Sequence, residues 1–158
     1  MNDIAEFASP SLLRRIAAII YDTALVLPLI MVSVAIGLGL RTAAGLEAHD
    51  SSQVSILDAN LVQLIALTAI VAFFSYFWLK NGQTLSMQAW RIKLVNSAAG
   101  PIRFHQSVIR ALAAVLSIAC LGLGYWWCLF DAKGKTWHDH LSRTELVLLP
   151  KNKKAKKV

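Results

Sequence analysis

The stretch from Leu13 to Leu40 reads LRRIAAIIYDTALVLPLIMVSVAIGLGL. From Thr23 to Leu40 it holds 18 residues without a charge, enough as a helix to cross a hydrocarbon core about 30 Å thick. Pro28 is compatible with that reading, because neighbouring groups in a membrane helix can satisfy the carbonyl it frees. Arg14 and Arg15 at the entry are the kind of charges that hold a helix end on the cytoplasmic side. Asp22, inside the run, stands out. An unpaired carboxylate at mid-membrane costs about 2.5 to 3.5 kcal/mol on insertion scales, so it requires a partner, water or a neutral state. The run is also too long for the apolar part of a signal peptide, about 7–15 residues.

Working outward, 56% of the 158 residues are hydrophobic and the mean hydropathy is +0.54, more than a soluble domain of this size needs to fill a core. Cys120 and Cys128 lie in apolar surroundings without CxxC spacing, which argues against a disulfide framework or a metal knuckle. The net charge of +7 is concentrated after Pro150, where Lys151, Lys153, Lys154, Lys156 and Lys157 form a tail suited to contact with anionic lipid headgroups. The other basic residues adjoin apolar runs and no RNA or DNA motif accompanies them, so nucleic acid is not expected as a partner.

Two further apolar runs follow. Leu61 to Leu79 ends in Phe73, Phe74, Tyr76, Phe77 and Trp78, an aromatic cluster fit for a headgroup boundary. Ala111 to Phe130 contains Gly122 and Gly124, where a helix can break. Between and after these runs, the alternation in Arg91 to Val95 and in Thr144 to Leu149 predicts two short strands able to pair at the membrane surface. The charge count leaves the third run open: it either crosses, or dips in and returns with a break near Gly122. The expected fold is an all-α integral membrane protein with two spanning helices, a third apolar segment that spans or re-enters, and a small β-hairpin or sheet. The boundaries are an extension over 1–10, a transmembrane domain over 11–149 and the basic tail over 150–158.

Chemistry must come from charges in or beside the runs. Arg15 and Asp22 are seven apart, on nearly one helix face but about 10 Å apart along the axis, so each needs a partner from elsewhere. Asp131, His138, Asp139, His140 and Arg143 cluster after the third run. The pairing expected is Arg15 with Asp139, with Arg110 or Arg143 reaching Asp22 and Gln63 as an interior hydrogen-bond partner. Such charges serve either as a clamp or as a proton or cation relay. His138-Asp139-His140 lacks the spacing of a metal site, and no nucleophile elbow or phosphate loop occurs, so neither enzyme, metal nor cofactor is expected.

Arg15-Ile16-Ala17-Ala18 with Asp22, Gly82-Gln83-Thr84-Leu85 leading into Arg91 to Val95, Leu129-Phe130-Asp131, and Trp137-His138-Asp139 with Thr144 together resemble the RDD family of bacterial membrane proteins. The family is named for one arginine and two aspartates. By position the resemblance implies Arg15, Asp22 and Asp139, with Asp131 as the alternative for the last. It further implies a multi-pass protein of the bacterial inner membrane, with a role in transport suggested for the family, including cation/proton exchange for some members. Two functions are therefore expected as alternatives. One is proton- or cation-coupled transport through the Arg/Asp constellation, in a homo-oligomer that supplies missing walls. The other is a noncatalytic assembly or regulatory subunit whose charges clamp helices or a partner membrane protein.

Overall fold

The computed structural model describes residues 8–45 and 56–150; the basic tail and most of the N-terminal extension lie outside them. Two long apolar helices dominate: α1, Leu12–Ala43, and α2, Ile56–Asn81. α1 runs unbroken through Pro28. At about 1.5 Å per residue, its 32 residues are more than long enough to cross a membrane, and 23 residues of α2, Ala59–Asn81, are long and apolar enough as well.

α2 ends at a glycine for a geometric reason. Gly82 has φ +68°, the left-handed region that costs a glycine nothing. Its amide donates to the Trp78 carbonyl at 2.9 Å and its own carbonyl accepts from Leu94 N at 2.7 Å, so the turn ties the end of α2 to the first strand. Thr84 then caps the short helix α3, Leu85–Ala89, by accepting from Met87 N at 3.2 Å. The strands β1, Ile92–Asn96, and β2, Thr144–Leu148, pair antiparallel from Ile92 opposite Leu148 to Asn96 opposite Thr144. This two-stranded sheet is not a hairpin, because the whole third apolar run lies between its strands.

That pairing decides the topology left open above. β1 and β2 are hydrogen-bonded neighbours, and Leu148 N also donates to Ala8 O at 3.0 Å. The start of α1, the connection after α2 and the segment after the third run therefore meet at one end of the molecule, which three simple crossings would forbid. The third run begins earlier than its hydropathy indicates: α4 spans Phe104–Ala119, its first turn fixed by Gln106 Oε1 accepting from Arg103 N at 2.9 Å. Past Ala119 the backbone enters the left-handed region at Leu121 and Gly122. The segment Leu123–Leu129, comprising α5 (Leu123–Trp126) and a 3-10 turn (Trp127–Leu129), leaves at 108° to α4. The chain then returns through α6, Trp137–Ser142, to β2.

The core sits at the shared end. Ala18 of α1, Trp78 of α2, Met87 of α3, Ile92 and Leu94 of β1 and Ala111 of α4 form one buried cluster. Alanines on α1 and α4 let the large Trp78 ring fill the space between the helices. Away from that end the long helices bury little against their own chain, with 6% of the apolar window of α1 and 11% of that of α2 enclosed. Gln63 is exposed on α2 and does not reach the interior.

Candidate functional site

The interior of the shared end is built around one carboxylate. Asp139, 1% exposed, sits in the first turn of α6 and closes a capping box there: its Oδ2 accepts from Thr136 N at 2.8 Å and Thr136 Oγ1 at 2.7 Å, and Thr136 Oγ1 accepts from Asp139 N. The same Oδ2 accepts from Arg15 Nη1 at 3.2 Å, while Oδ1 accepts from Arg110 Nη1 at 2.5 Å. One capping carboxylate thus joins α1, α4 and α6. Each guanidinium is anchored further. Arg15 donates to Pro10 O at 3.1 Å, Ser9 Oγ at 2.7 Å and Gly134 O at 2.7 Å. Arg110 donates to Thr144 Oγ1 at 2.9 Å and lies 5.4 Å from the centre of the Trp78 ring.

Burial by itself would raise the Asp139 pKa, but the Arg110 charge first, then His138, Arg15 and the Thr136 amide, outweigh it and hold the carboxyl well below the usual carboxylate range. His138, one residue earlier, faces the opposite problem. Burial and then the Arg110 charge lower its pKa from 6.5 to about 3, so it is neutral near pH 7. Its ring packs against Tyr125 at 4.6 Å between centroids, and its Nδ1 is buried without a hydrogen-bond partner among the described residues.

Asp22 is placed apart from the triad. Its Oδ2 accepts from Thr84 Oγ1 at 2.7 Å, and its Oδ1 is buried with no partner among the described residues. Neither Arg110 nor Arg143 reaches toward it, contrary to the sequence expectation. Arg110 is committed to Asp139 and Thr144, while Arg143 is exposed, caps α6 in the left-handed region and acts through its carbonyl, which accepts from Ser97 N at 3.1 Å. Asp131 does not touch Arg15. It organises the turn before α6, accepting from Lys133 N at 3.0 Å and Lys135 N at 2.8 Å, with His140 Nε2 at 3.1 Å. Those amides, that of Lys135 foremost, lower its pKa. His138 and His140 therefore face different surroundings, one interior and one at the surface. Arg14 is half-buried beside the entry of α1.

Between the triad and Asp22 lies a cavity of about 320 Å³ bounded by α1, α2 and α4. Arg15, Asp22, Trp78, Arg110, Tyr125 and His138 contribute to its lining, and the rest of the wall is mostly apolar. Three of these residues, Asp22, Trp78 and His138, carry a buried polar atom without a hydrogen-bond partner among the described residues. Thr84, Trp78, Thr136 and Thr144 are site residues that sequence reasoning did not single out. Thr84 stands within the quoted Gly82-Gln83-Thr84-Leu85 motif and directly before a helix, the position where a capping hydroxyl is expected.

Residues 9–143 match the sequence model of a family described as the RDD family. The chain belongs to the RDD family. Neither the curated proteins nor the solved structures contain a match to it. Within this RDD protein the matched region runs from Ser9, which bonds Arg15, to Arg143, the cap of α6, and so encloses the triad, Asp22 and Thr84.

Two consequences can be measured on detergent-solubilised protein. Arg110→Ala leaves a buried carboxylate half-answered and should lower unfolding stability by about 3–5 kcal/mol, with Arg110→Lys in between because an ammonium restores charge but not the stacking on Trp78. Thermal or denaturant unfolding that ranks Arg110→Ala with wild type would contradict the role given to the triad. The second concerns pH. The unfolded chain protonates His138 near 6.5 and the folded chain only near 3, so protons favour unfolding throughout that window. Stability from this group is full above 6.5 and falls as the pH drops toward 3; in His138→Phe, which keeps the aromatic packing, that part of the acid sensitivity should vanish.

Proposed function

We propose that this RDD protein is a multi-pass inner-membrane protein that moves protons or cations, with Asp22 as the group that takes them up. The observation that carries the reading is Asp22, a buried carboxylate with no ionic partner among the described residues, in the lining of a cavity between two helices long enough to span the bilayer. A buried carboxylate that is held by Thr84 and not paired with an arginine retains a site for a proton or cation. The Arg15–Asp139–Arg110 triad has a different part: its carboxylate is fully engaged, so it clamps α1, α4 and α6 around the cavity and does not titrate. The long helices leave most of their apolar surface uncovered by their own chain, which favours an oligomer in which a second copy completes the walls.

The end that carries the triad and the sheet is the cytoplasmic one. Among the described residues, ten of the eleven Lys and Arg side chains belong to segments at that end, and Arg41 lies at the other, the asymmetry that sets orientation in inner membranes. Single cysteines placed at Ser97 and Lys133, in a background with Cys120 and Cys128 replaced by serine, should react with an impermeant thiol reagent from the cytoplasmic face alone, and one at Ala44 from the opposite face.

The reading of Asp22 is tested in proteoliposomes. Asp22→Asn should abolish proton-coupled cation flux while leaving expression and oligomer profile unchanged, because the asparagine still accepts from Thr84. Absence of flux in wild type under every proton and cation gradient would refute the proposal. Loss of abundance or of a copurifying partner in Asp22→Asn, with no flux in wild type, would instead identify an assembly subunit held by its charges.

A further inference from the structure

The cavity is apolar and poor in oxygen. Its walls include Ala18, Val26, Ile70, Phe74, Val115 and Ile118. A hard inorganic cation held for any time in a protein takes about six oxygen ligands. Few of the lining side chains carry oxygen at all: Asp22, Thr23 and Tyr125. The Thr23 hydroxyl already donates to Ile19 O at 2.8 Å. A bare ion would leave most of the space empty and most of its ligand positions unmet. A proton needs no such space. The volume, about 320 Å³, falls at the lower edge of small-molecule pockets, roughly 300–1,000 Å³.

The polar points on the wall select the head of an occupant. Asp22, 4% exposed, is a lining carboxylate whose Oδ1 is enclosed and has no hydrogen-bond partner among the described residues, and His138, 3% exposed, is a lining imidazole. Both arginines on the wall are committed to one carboxylate, Asp139, which leaves Asp22 as the wall charge without an ionic partner among the described residues. An ammonium has three N–H donors and suits acceptors of this kind. The ring of Phe74 belongs to the same wall, and an aromatic ring attracts a cation over its face. A carboxylate head would have to enter beside Asp22 and compete for guanidiniums already shared.

We infer that the cavity binds a lipophilic amine, a compact apolar body held by the walls of α1, α2 and α4 with its ammonium at Asp22. This names the solute class of the carrier proposed above and rests on that reading's premise that Asp22 is the group open to the cavity. The amine arrives with its own proton, so exchange at Asp22 between a proton and an ammonium requires no further co-reactant. Ala18, Ala111 and Ala114 are the small residues on the wall, and a larger side chain at Ala114 takes up space in the cavity.

The test uses the full chain in lipid nanodiscs and three probes that share one cage hydrocarbon: adamantylamine, adamantanol and adamantanecarboxylate, each measured by equilibrium binding against protein-free discs. Wild type should bind the amine saturably and about tenfold or more tighter than the alcohol, the difference a charge-assisted hydrogen bond provides, and the carboxylate more weakly than either. Asp22→Asn should bind amine and alcohol alike, and Ala114→Phe should bind none of the three. Equal binding of amine and alcohol by wild type, tightest binding of the carboxylate, or no saturable binding overturns the inference. Should Asp22→Asn not fold, the order of the three probes on wild type and their loss in Ala114→Phe decide it. Asp22-dependent proton flux without amine binding defeats the amine site and leaves the carrier reading standing; amine binding in the expected order without flux supports the site and removes the carrier.

Discussion

The structure depends on the carboxylate of Asp139 having two guanidiniums to answer it. A buried charge with one partner missing is among the most destabilising things a fold can contain, so all three groups must be placed together or none can be buried. Their placement constrains much else. Arg15 brings in the start of α1 and, through Ser9 and Gly134 O, the residues before that helix and the turn before α6. Arg110 brings in α4 and, through Thr144, the first residue of β2. Asp139 is itself the capping residue of α6, so the helix start and the ion network stabilise each other.

Asp22 differs from Asp139 in what surrounds it, and that difference divides the site into two parts. Asp139 accepts from two arginines, an amide and a hydroxyl, and has nothing left to offer a ligand. Asp22 accepts from the Thr84 hydroxyl, has the Ser86 hydroxyl and amide beside it, and lines a cavity. The hydroxyl is set by local geometry: the left-handed turn at Gly82 delivers Thr84 to the start of α3, where its oxygen accepts from Met87 N while its proton goes to Asp22. The saturated carboxylate and the less engaged one thus sit on either side of the same cavity.

Much of this is visible in the residues. Arg15, Asp22 and Asp139 draw attention because charges beside or within apolar runs are costly, and that cost is a property of the side chain and its neighbours in sequence. Arg110 was equally conspicuous, but its partner was not: as a sequence expectation it reached toward Asp22, and in the fold it meets Asp139. Thr84 and Thr144 were passed over as site residues because a threonine next to a turn or strand is ordinary until something buried is seen to need its hydroxyl. Gln63 attracted attention for its polarity inside an apolar run, yet its face of α2 turns outward.

Local sequence alone determined the two long apolar helices and the two strands, and marked Gly122 as a place where the third run can break, because each rests on a periodicity or a backbone preference spanning a few residues. Tertiary structure alone decided that the third run bends back, and which arginine answers which aspartate. Those outcomes rest on contacts between distant parts of the chain, such as Arg15 with Asp139 across 124 positions and β1 with β2 across the whole third run. No local preference encodes such a contact. It is selected by the need to satisfy buried charges and strand edges together, and that requirement exists only once the helices are packed.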